Sequence, residues 1–467
     1  MFIKQLYTNC LSEAAYYIES SGEAAVIDPL RDIDEYLQLA TERKATIKYI
    51  FETHFHADFV SGHIDLSKAS GAPIIYGPNT ETNFPIHLAK DGETFKLGAV
   101  TITAIHTPGH TLESTCYLLK DENGKPHALF SGDTLFVGDV GRPDLFSGSM
   151  TKEELASMMY DSLQTKIASL PDDVIVYPAH GPGSACGKNL GPSTYSTIAS
   201  EKETNYALKP QSREEFIKAV TEGLSEPPQY FPINARINKE GYESLEHLID
   251  NFKAMSVQEF KSIISDPEVI ILDTRRSTDF TNGFVPGSIS IGLEGRFAEW
   301  AGSLLSFDKD LYLVAEKGKE QESLVRLARV GFEKIKGYLE GGYEAWRDAS
   351  ESIDMIIEVD PDEMLMDLPF DKQMVVLDVR REPEFADGHV AGAVNLPLND
   401  MNDPGTMANI NETDNVYVHC ASGYRSVIAS SLLKKQGIHN IRNVTGGWSK
   451  IREQKNVEIV KEKSVLN

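Results

Sequence analysis

The feature that most limits what this chain can fold into is an internal repeat in its second half. VIILDTR (269–275) recurs as VVLDVR (375–380), and GFVPGSISI (283–291) as GHVAGAVNL (388–396). LYLVA (311–315) recurs as VYVHC (416–420), and EGGYEAW (340–346) as TGGWSKI (445–451). The shift is 105 residues at each anchor. A fixed shift with matching apolar runs means two copies of one supersecondary unit. Each copy alternates strand-like runs with helical stretches such as SLVRLARVGF and SVIASSLLKKQG, so each should build a parallel sheet flanked by helices. A chain of 467 residues leaves room for one further domain ahead of them.

That first half reads as apolar runs of strand length that close on polar residues. AAVIDPL (24–30) ends at Asp-Pro, and IKYIFETH (47–54) ends in a His-rich stretch. APIIYG, VTITAIHTPGH, HALFSGDTLF and DVIVYPAHGPG follow, closing on His, Asp or Gly. Polar groups gathered at strand ends are how α/β layers build a site. ETHFHADFVSG places His54, His56 and Asp58 at alternate positions, with Phe59 next. His110, Asp133 and His180 close three later strands and complete a set of metal-ligand type. A phenyl ring donates no lone pair, so Phe59 adds no ligand to that set. His63, His87, His106 and His127 lie outside these pieces and read as ordinary residues. The segment from about 200 to 255 is charged and partly helical, and reads as a bridge packed against its neighbours.

Bulk properties exclude several roles. Asp and Glu number 70 against 45 Lys and Arg, a net charge of −25, which repels phosphate backbones and anionic lipid. No nucleic-acid or membrane partner is therefore expected. No apolar run reaches the roughly 18 residues that span a bilayer, and the N-terminal stretch lacks the pattern of a secretory signal. Four cysteines, at 10, 116, 186 and 420, do not form a disulfide framework. The expectation is a cytoplasmic protein with reduced thiols.

HCASGYRS (419–426) sits between the apolar strand NVYV and the helical run VIASSLLKKQG. A cysteine there meets a cluster of backbone N–H groups and the positive end of a helix dipole, with Arg425 adding charge. Such surroundings stabilise a thiolate or persulfide and suit a nucleophile. The first copy places Ala315 opposite Cys420, and its AEKGKEQ loop offers no thiol and two Glu. No thiolate forms there, and the loop carries negative charge where the other carries Arg425.

THFHAD, TPGHT, SGDTLF and PAHG, in that order over residues 1–200, resemble the metallo-β-lactamase fold. GRPDLF (141–146) and AHGPGSACGK (179–188) bring the chain closer to the persulfide dioxygenases of that fold. That resemblance implies a mononuclear Fe(II) held by His54, His110 and Asp133, with His56, Asp58 and His180 in the outer shell. The sequence by itself does not choose iron over zinc. In the persulfide dioxygenases position 59 usually holds His, so Phe59 is a departure outside the implied triad. Arg142 and Lys188 lie in the resembling loops and either clamp the carboxylate of a thiol carrier or form structural salt bridges. Cys186 either carries sulfur or is an inert thiol.

LDVR, GHVAGAVNLP, the CASGYR loop and TGGW resemble rhodanese over residues 358–460. Cys420 would carry sulfane sulfur, with the loop amides and Arg425 holding it or an anionic acceptor, and Asp378 and Arg380 would be scaffold residues. The first copy resembles rhodanese in fold alone and is expected to serve packing, subunit contact or docking.

The resemblance thus covers nearly the whole chain. It implies an α/β protein: a metallo-β-lactamase αββα sandwich with a helical bridge (1–245), an inactive rhodanese-like domain (246–354) and a catalytic rhodanese domain (355–467). This is the order of bacterial persulfide dioxygenase–rhodanese fusions of sulfide detoxification. It implies that the persulfide of glutathione, coenzyme A or a similar carrier is oxidised with O₂ to sulfite and thiol, and that Cys420 joins sulfane sulfur to sulfite as thiosulfate. Homo-oligomerisation is a further expectation of the family. The rivals are a glyoxalase II-type thioester hydrolase with two metals, a sulfurtransferase running from thiosulfate to thiol, and a sulfur-responsive binding protein with an idle metal site.

Overall fold

The computed structural model describes residues 1–145, 150–224 and 226–463. Two compact units emerge: Met1–Glu246 with Ala328–Gly331, and His247–Leu327 with Phe332–Asn467.

The first unit is built on two six-stranded sheets. One runs in chain order: β1 (Phe2–Thr8), β2 (Glu13–Ser20), β3 (Glu23–Ile27), β4 (Thr46–Phe51), β5 (Ile74–Tyr76) and β6 (His87–Leu88). The other comprises β7 (Thr94–Leu97), β8 (Val100–His106), β9 (Thr115–Lys120), β10 (Pro126–Gly132), β11 (Ile175–Pro178) and β12 (Ser196–Thr197). Alternation along each strand sorts the side chains into layers. Tyr16, Ile18, Phe51 and Ile75 of the first sheet meet Ile102, Tyr117, Leu119 and Phe130 of the second in one core. Their strand neighbours point the other way. Ala15, Tyr17, Val26 and Ile50 pack on Tyr36 and Leu39 of the helix Asp34–Glu42. Cys116, Leu118, Leu129 and Val176 pack on Ala156 and Met159 of the helix Lys152–Ser162. Helix, sheet, sheet, helix is the expected αββα sandwich.

The second unit holds two five-stranded sheets of identical order. The first contains β13 (Lys253–Met255), β14 (Val269–Asp273), β15 (Ile289–Ser290), β16 (Asp310–Val314) and β17 (Ile335–Leu339), ordered β13-β17-β16-β14-β15. The second contains β18 (Ile357–Val359), β19 (Met374–Asp378), β21 (Val394–Asn395), β22 (Asn415–His419) and β23 (Ile441–Val444), ordered β18-β23-β22-β19-β21. A short pair, β20 (His389–Val390) with β24 (Ile459–Val460), lies outside it. All neighbours in both five-stranded sheets are parallel, as the repeat requires.

The repeat extends to single interactions. Arg275 binds Asp273 and donates to the carbonyl of Gly283 at 2.9 Å, while its guanidinium lies over Tyr343. Arg380 binds Asp378 and donates to Gly388 at 2.7 Å, lying over Trp448. Every member is displaced by the same 105 residues. These ion pairs are buried, so removing either partner strands a charge and is strongly destabilising. Their place beneath the strand ends fits a scaffold role.

The thiol-free copy packs directly on the other. Phe280 and Phe284 stack at 4.0 Å and share a small core with Ile356 and Val427. The backbone N–H of Ser290 donates to Ser431 Oγ at 3.0 Å. Tyr424 Oη, inside the CASGYR loop, donates to the carbonyl of Gly292 at 2.9 Å. Of the three roles expected for this copy, packing is the one visible within the unit.

Candidate metal centre and sulfur-transfer loop

Four strands of the first unit deliver their polar ends to one buried pocket. His54 follows β4, His110 follows β8, Asp133 follows β10 and His180 follows β11. Two glycines permit the crowding. Gly132 has φ +53°, and a Cβ there would lie 2.6 Å from Thr53 Cβ. A Cβ on Gly141 would lie 2.2 Å from the Asp133 carbonyl and 2.9 Å from His110 Nδ1.

His54, His110 and Asp133 each offer one ligand atom, all within 4.8 Å of one another. His110 Nε2 is 3.4 Å from Asp133 Oδ2, and His54 Nε2 is 3.9 Å from it. The far side of each ring is already engaged. His110 Nδ1 donates to the carbonyl of Arg142 at 2.8 Å, and His54 Nδ1 lies 3.0 Å from Thr53 Oγ1. Thr53 Oγ1 gives its own proton to Asp28 Oδ2 at 2.8 Å, so it accepts from His54. Each Nε2 therefore keeps its lone pair and faces Asp133. Both Asp133 oxygens are buried without a hydrogen-bond partner. An ionised carboxylate is not left so without compensation, and a cation between it and the two imidazoles supplies it. The donor set fits a metal. Burial, reinforced by His56, His110 and His180, holds His54 well below the ordinary imidazole range, which keeps it a neutral donor.

His56 goes elsewhere. Its Nε2 lies 3.0 Å from Asp28 Oδ1 and 3.5 Å from Glu52 Oε2, and its ring rests 4.2 Å from that of Phe59. Burial opposes charge on this ring, but Asp28, Glu52 and Asp58 outweigh it and raise His56 to about 9. Asp28, Glu52 and His56 form a second acidic cluster, with His63 Nδ1 3.4 Å from Glu52 Oε1. Asn238 fixes this loop by donating to the carbonyls of His56 and Phe59, both at 2.8 Å, and accepting from the N–H of Ser61 at 2.9 Å. The bridge segment thus reaches the site. Asp58 and His180 lie together, His180 Nε2 being 3.5 Å from Asp58 Oδ2 and from Asp133 Oδ1.

In the second unit the Cys420 thiol lies between β22 and the helix Tyr424–Lys435. The backbone N–H of Gly423 donates to its sulfur at 3.1 Å. Its carbonyl accepts from the N–H of Trp448 at 2.6 Å, which ties TGGW to the loop. Arg425 does not cap the sulfur: both terminal nitrogens bind Glu384 at 2.8 Å.

Family models match both halves. The metallo-beta-lactamase superfamily covers residues 8–180, and the rhodanese-like domain covers 256–349 and 361–454. The chain belongs to the metallo-β-lactamase superfamily and carries two rhodanese-like domains. A crystal structure of a metallo-beta-lactamase from Staphylococcus aureus subsp. aureus COL is 32% identical, covering 73% of this chain and 98% of that one, with a TM-score of 0.64. ETHE1 from Myxococcus xanthus is 30% identical over 51% of this chain and 98% of its own, with a TM-score of 0.45. A probable hydroxyacylglutathione hydrolase of Schizosaccharomyces pombe is 33% identical over 35% of this chain. The match spans 60% of that relative's length.

Within the metallo-β-lactamase domain, Arg142 and Lys188, each read as either a carrier clamp or a structural salt bridge, have protein partners. Arg142 is buried and grips Asp144 through Nε and Nη2 at 2.6 and 2.7 Å, the structural salt bridge of the two readings. Lys188 donates from Nζ to the carbonyls of Ala219, at 2.6 Å, and Glu222, which closes the helix Arg213–Thr221. Cys186 does reach the pocket, grouped with Asp58 and His180. Burial, with Asp58 and Asp133 adding to it, pushes its thiol well up. Phe146, the last residue of GRPDLF, lies outside the described residues. Among the described residues no helix is long and apolar enough to cross a membrane.

Proposed function

We propose that the metallo-β-lactamase domain is a mononuclear non-haem iron dioxygenase acting on the persulfide of a small thiol such as glutathione or coenzyme A. We propose further that the last domain joins sulfane sulfur to the sulfite so formed. The observation that carries the reading is the three-ligand group His54, His110 and Asp133 beside a His56 turned to Asp28 and Glu52. Two imidazoles and one carboxylate leave coordination positions open, the set that suits Fe(II) meeting both O₂ and substrate. Bound there, iron would supply the one-electron chemistry that O₂ requires. The protein's part is to hold both imidazoles as lone-pair donors, to keep the pocket closed to bulk water, and to hold a proton on His56 beside Asp28. The overall change balances as RSSH + O₂ + H₂O giving RSH + SO₃²⁻ + 2 H⁺.

Cys420 supports the second half. Its thiolate attacks the outer sulfur of RSSH, the S–S bond breaks, and RSH leaves with a proton. Sulfite then attacks the outer sulfur of the Cys420 persulfide, forming thiosulfate and restoring the thiolate. The Gly423 amide, 3.1 Å from the sulfur, is placed to stabilise the anion. A rhodanese thiol in the same chain ties the metal pocket to sulfur chemistry, which thioester hydrolysis would not use.

The test is anaerobic purification with iron supplied, followed by O₂ uptake with a panel of persulfides, with sulfite and thiosulfate measured together. Bound iron and persulfide-dependent uptake are expected. Two zinc ions per chain with cleavage of a glutathione thioester, the activity in the names of the hydrolase relatives, would overturn it.

A further inference from the structure

Two loops beside the metal ligands are closed by a piece of chain from far along the sequence. Ala328–Gly331 belongs to the first unit, although the chain on either side of it belongs to the second. It ends the helix Glu320–Ala328 of the thiol-free copy. The backbone N–H of Val60, next to Phe59, donates to the carbonyl of Arg329 at 2.7 Å. The Arg329 guanidinium forks onto Asp32, Nε to Oδ1 and Nη2 to Oδ2, both at 2.7 Å. Arg31 answers from the other side, its Nη1 donating to the carbonyl of Ala328 at 3.3 Å. Gly331 has φ +87°, and a Cβ there would lie 2.5 Å from Asn234 Oδ1. Glycine therefore lets the segment seat against the helix Phe231–Glu240. That helix also carries Asn238, which fixes the carbonyls of His56 and Phe59.

The two gripped loops run from Asp28 to Asp32 and from His54 to Gly62. They are already joined to each other. The Gly62 N–H and Ser61 Oγ donate to the Pro29 carbonyl at 2.7 and 2.9 Å, and Leu30 forms a β-bridge with Ser61. At the head of the first loop, Asp28 takes the Thr53 hydroxyl proton and lies 3.0 Å from His56 Nε2. Through Thr53 it sets which nitrogen His54 turns to the metal. Arg329 touches no ligand, yet it binds the far end of the loop that carries Asp28 and the middle of the loop that carries His56. Its side chain is 16% exposed, so the pair with Asp32 is partly shielded from the water that weakens surface salt bridges.

We propose that Arg329 is a positioning residue of the metal pocket. By clamping the Asp28–Asp32 and His54–Gly62 loops together, it holds Asp28 against Thr53 and His56. The copy without a thiol thus supplies a working part of the metal centre. The fork is what the clamp requires, and a lysine ammonium cannot make it. The inference rests on the ligand group of the proposed reaction and not on the reaction's chemistry.

The test uses the metal-stripped full chain as wild type, Arg329→Ala, Arg329→Lys and Asp32→Asn. Hydrogen exchange read by mass spectrometry should quicken about tenfold across 28–32 and 54–62 in Arg329→Ala and Asp32→Asn, and stay at the wild-type rate across 361–454. Co²⁺ affinity, from chelator competition, should fall about tenfold, the lower end for outer-shell losses, and the visible bands of the bound cobalt should shift. Arg329→Lys should stay closer to Arg329→Ala than to wild type. Combining Arg329→Ala with Asp32→Asn should weaken binding no more than either alone, as partners of one clamp do. Wild-type exchange in both loops, wild-type Co²⁺ affinity in Arg329→Ala, or additive losses in the double variant would overturn the clamp. Faster exchange throughout the chain would overturn it too, since Arg329 would then serve general stability. Absence of O₂ uptake by the wild type, with these results in hand, would strike the dioxygenase reading and leave the clamp standing.

Discussion

Replacing Thr53 by valine isolates what holds the first metal ligand in place. The Thr53 hydroxyl has one proton, and it goes to Asp28 Oδ2 at 2.8 Å. Its lone pair then accepts from His54 Nδ1 at 3.0 Å, so Nε2 stays free to bind metal. Valine fills nearly the same volume, and the close approach to Gly132 is preserved. Lost is the relay from carboxylate through hydroxyl to imidazole, without which His54 takes either tautomer. Outer-shell losses of this kind cost 10–100-fold in metal affinity, or about 1.4–2.7 kcal/mol. Asp28 Oδ1 still accepts the Thr53 backbone N–H at 2.8 Å and still faces His56 at 3.0 Å, while Oδ2 loses its donor. Two buried hydrogen bonds go, one of them to a carboxylate, so global stability should fall by about 2–4 kcal/mol. Chelator competition gives the affinity, and denaturant unfolding gives the stability. Thr53→Ser keeps the hydroxyl and should restore binding. If Thr53→Val binds metal as tightly as wild type, or if Thr53→Ser is as weak as Thr53→Val, the relay does not position His54.

Four further outcomes are expected. Cys420→Ser should abolish enzymatic thiosulfate formation and leave O₂ uptake and sulfite release intact, measured under conditions that suppress the direct reaction of sulfite with persulfide. His110→Ala removes one of two imidazole donors and should lose bound metal and O₂ uptake together; metal analysis showing full occupancy would refute the ligand assignment. Tyr424→Phe deletes the hydrogen bond to Gly292 and should destabilise the second unit by about 1 kcal/mol, seen in chemical unfolding, with a larger fall in sulfur transfer than in O₂ uptake. Burial raises the Glu384 carboxyl, but the Arg425 guanidinium outweighs it and holds the group below its ordinary value. That pair should therefore stabilise the last domain fully above about pH 4.3 and lose its contribution as pH falls through the depressed value. Glu384→Gln should flatten that acid limb in a series of thermal melts.

How much of this was legible in the sequence follows from what each signal measures. Six strands of the first unit are legible as largely apolar runs, because each has at least one face covered by the opposing sheet or by a helix. The hairpin of β1 and β2 did not stand out. FIKQLYT is half-buried throughout and mixes Lys and Gln into an edge strand, so it carries no clean apolar signature. The repeat was fully legible, since a constant shift needs no knowledge of contacts. Asp28 and Glu52 passed unnoticed as strand-end acids; what matters about them is nearness to His56, which sequence spacing does not encode. Asn238 was missed for the same reason, 182 residues from the carbonyl it binds. Arg142 and Lys188 were legible as loop residues, but not their partners. Asp144, two positions on, satisfies one, and a helix end satisfies the other.

Position 59 shows how one side chain can set the ligand count of a pocket. Phe59 is fully buried, and its ring lies 4.2 Å from that of His56 at an interplanar angle of 32°. It therefore does two things at once. It withholds a nitrogen from the Asp58–His180 side, and it gives His56 an apolar surface to lie against while Nε2 turns to Asp28. Asn238 secures the arrangement by binding the carbonyls of both residues. With His56 drawn to the carboxylates, the first group is left with three donors and open positions, the condition that dioxygen chemistry needs. A His at this position would offer a further donor beside Asp58 and His180, so the side chain at 59 and the loop that Asn238 fixes help decide which donors face the pocket.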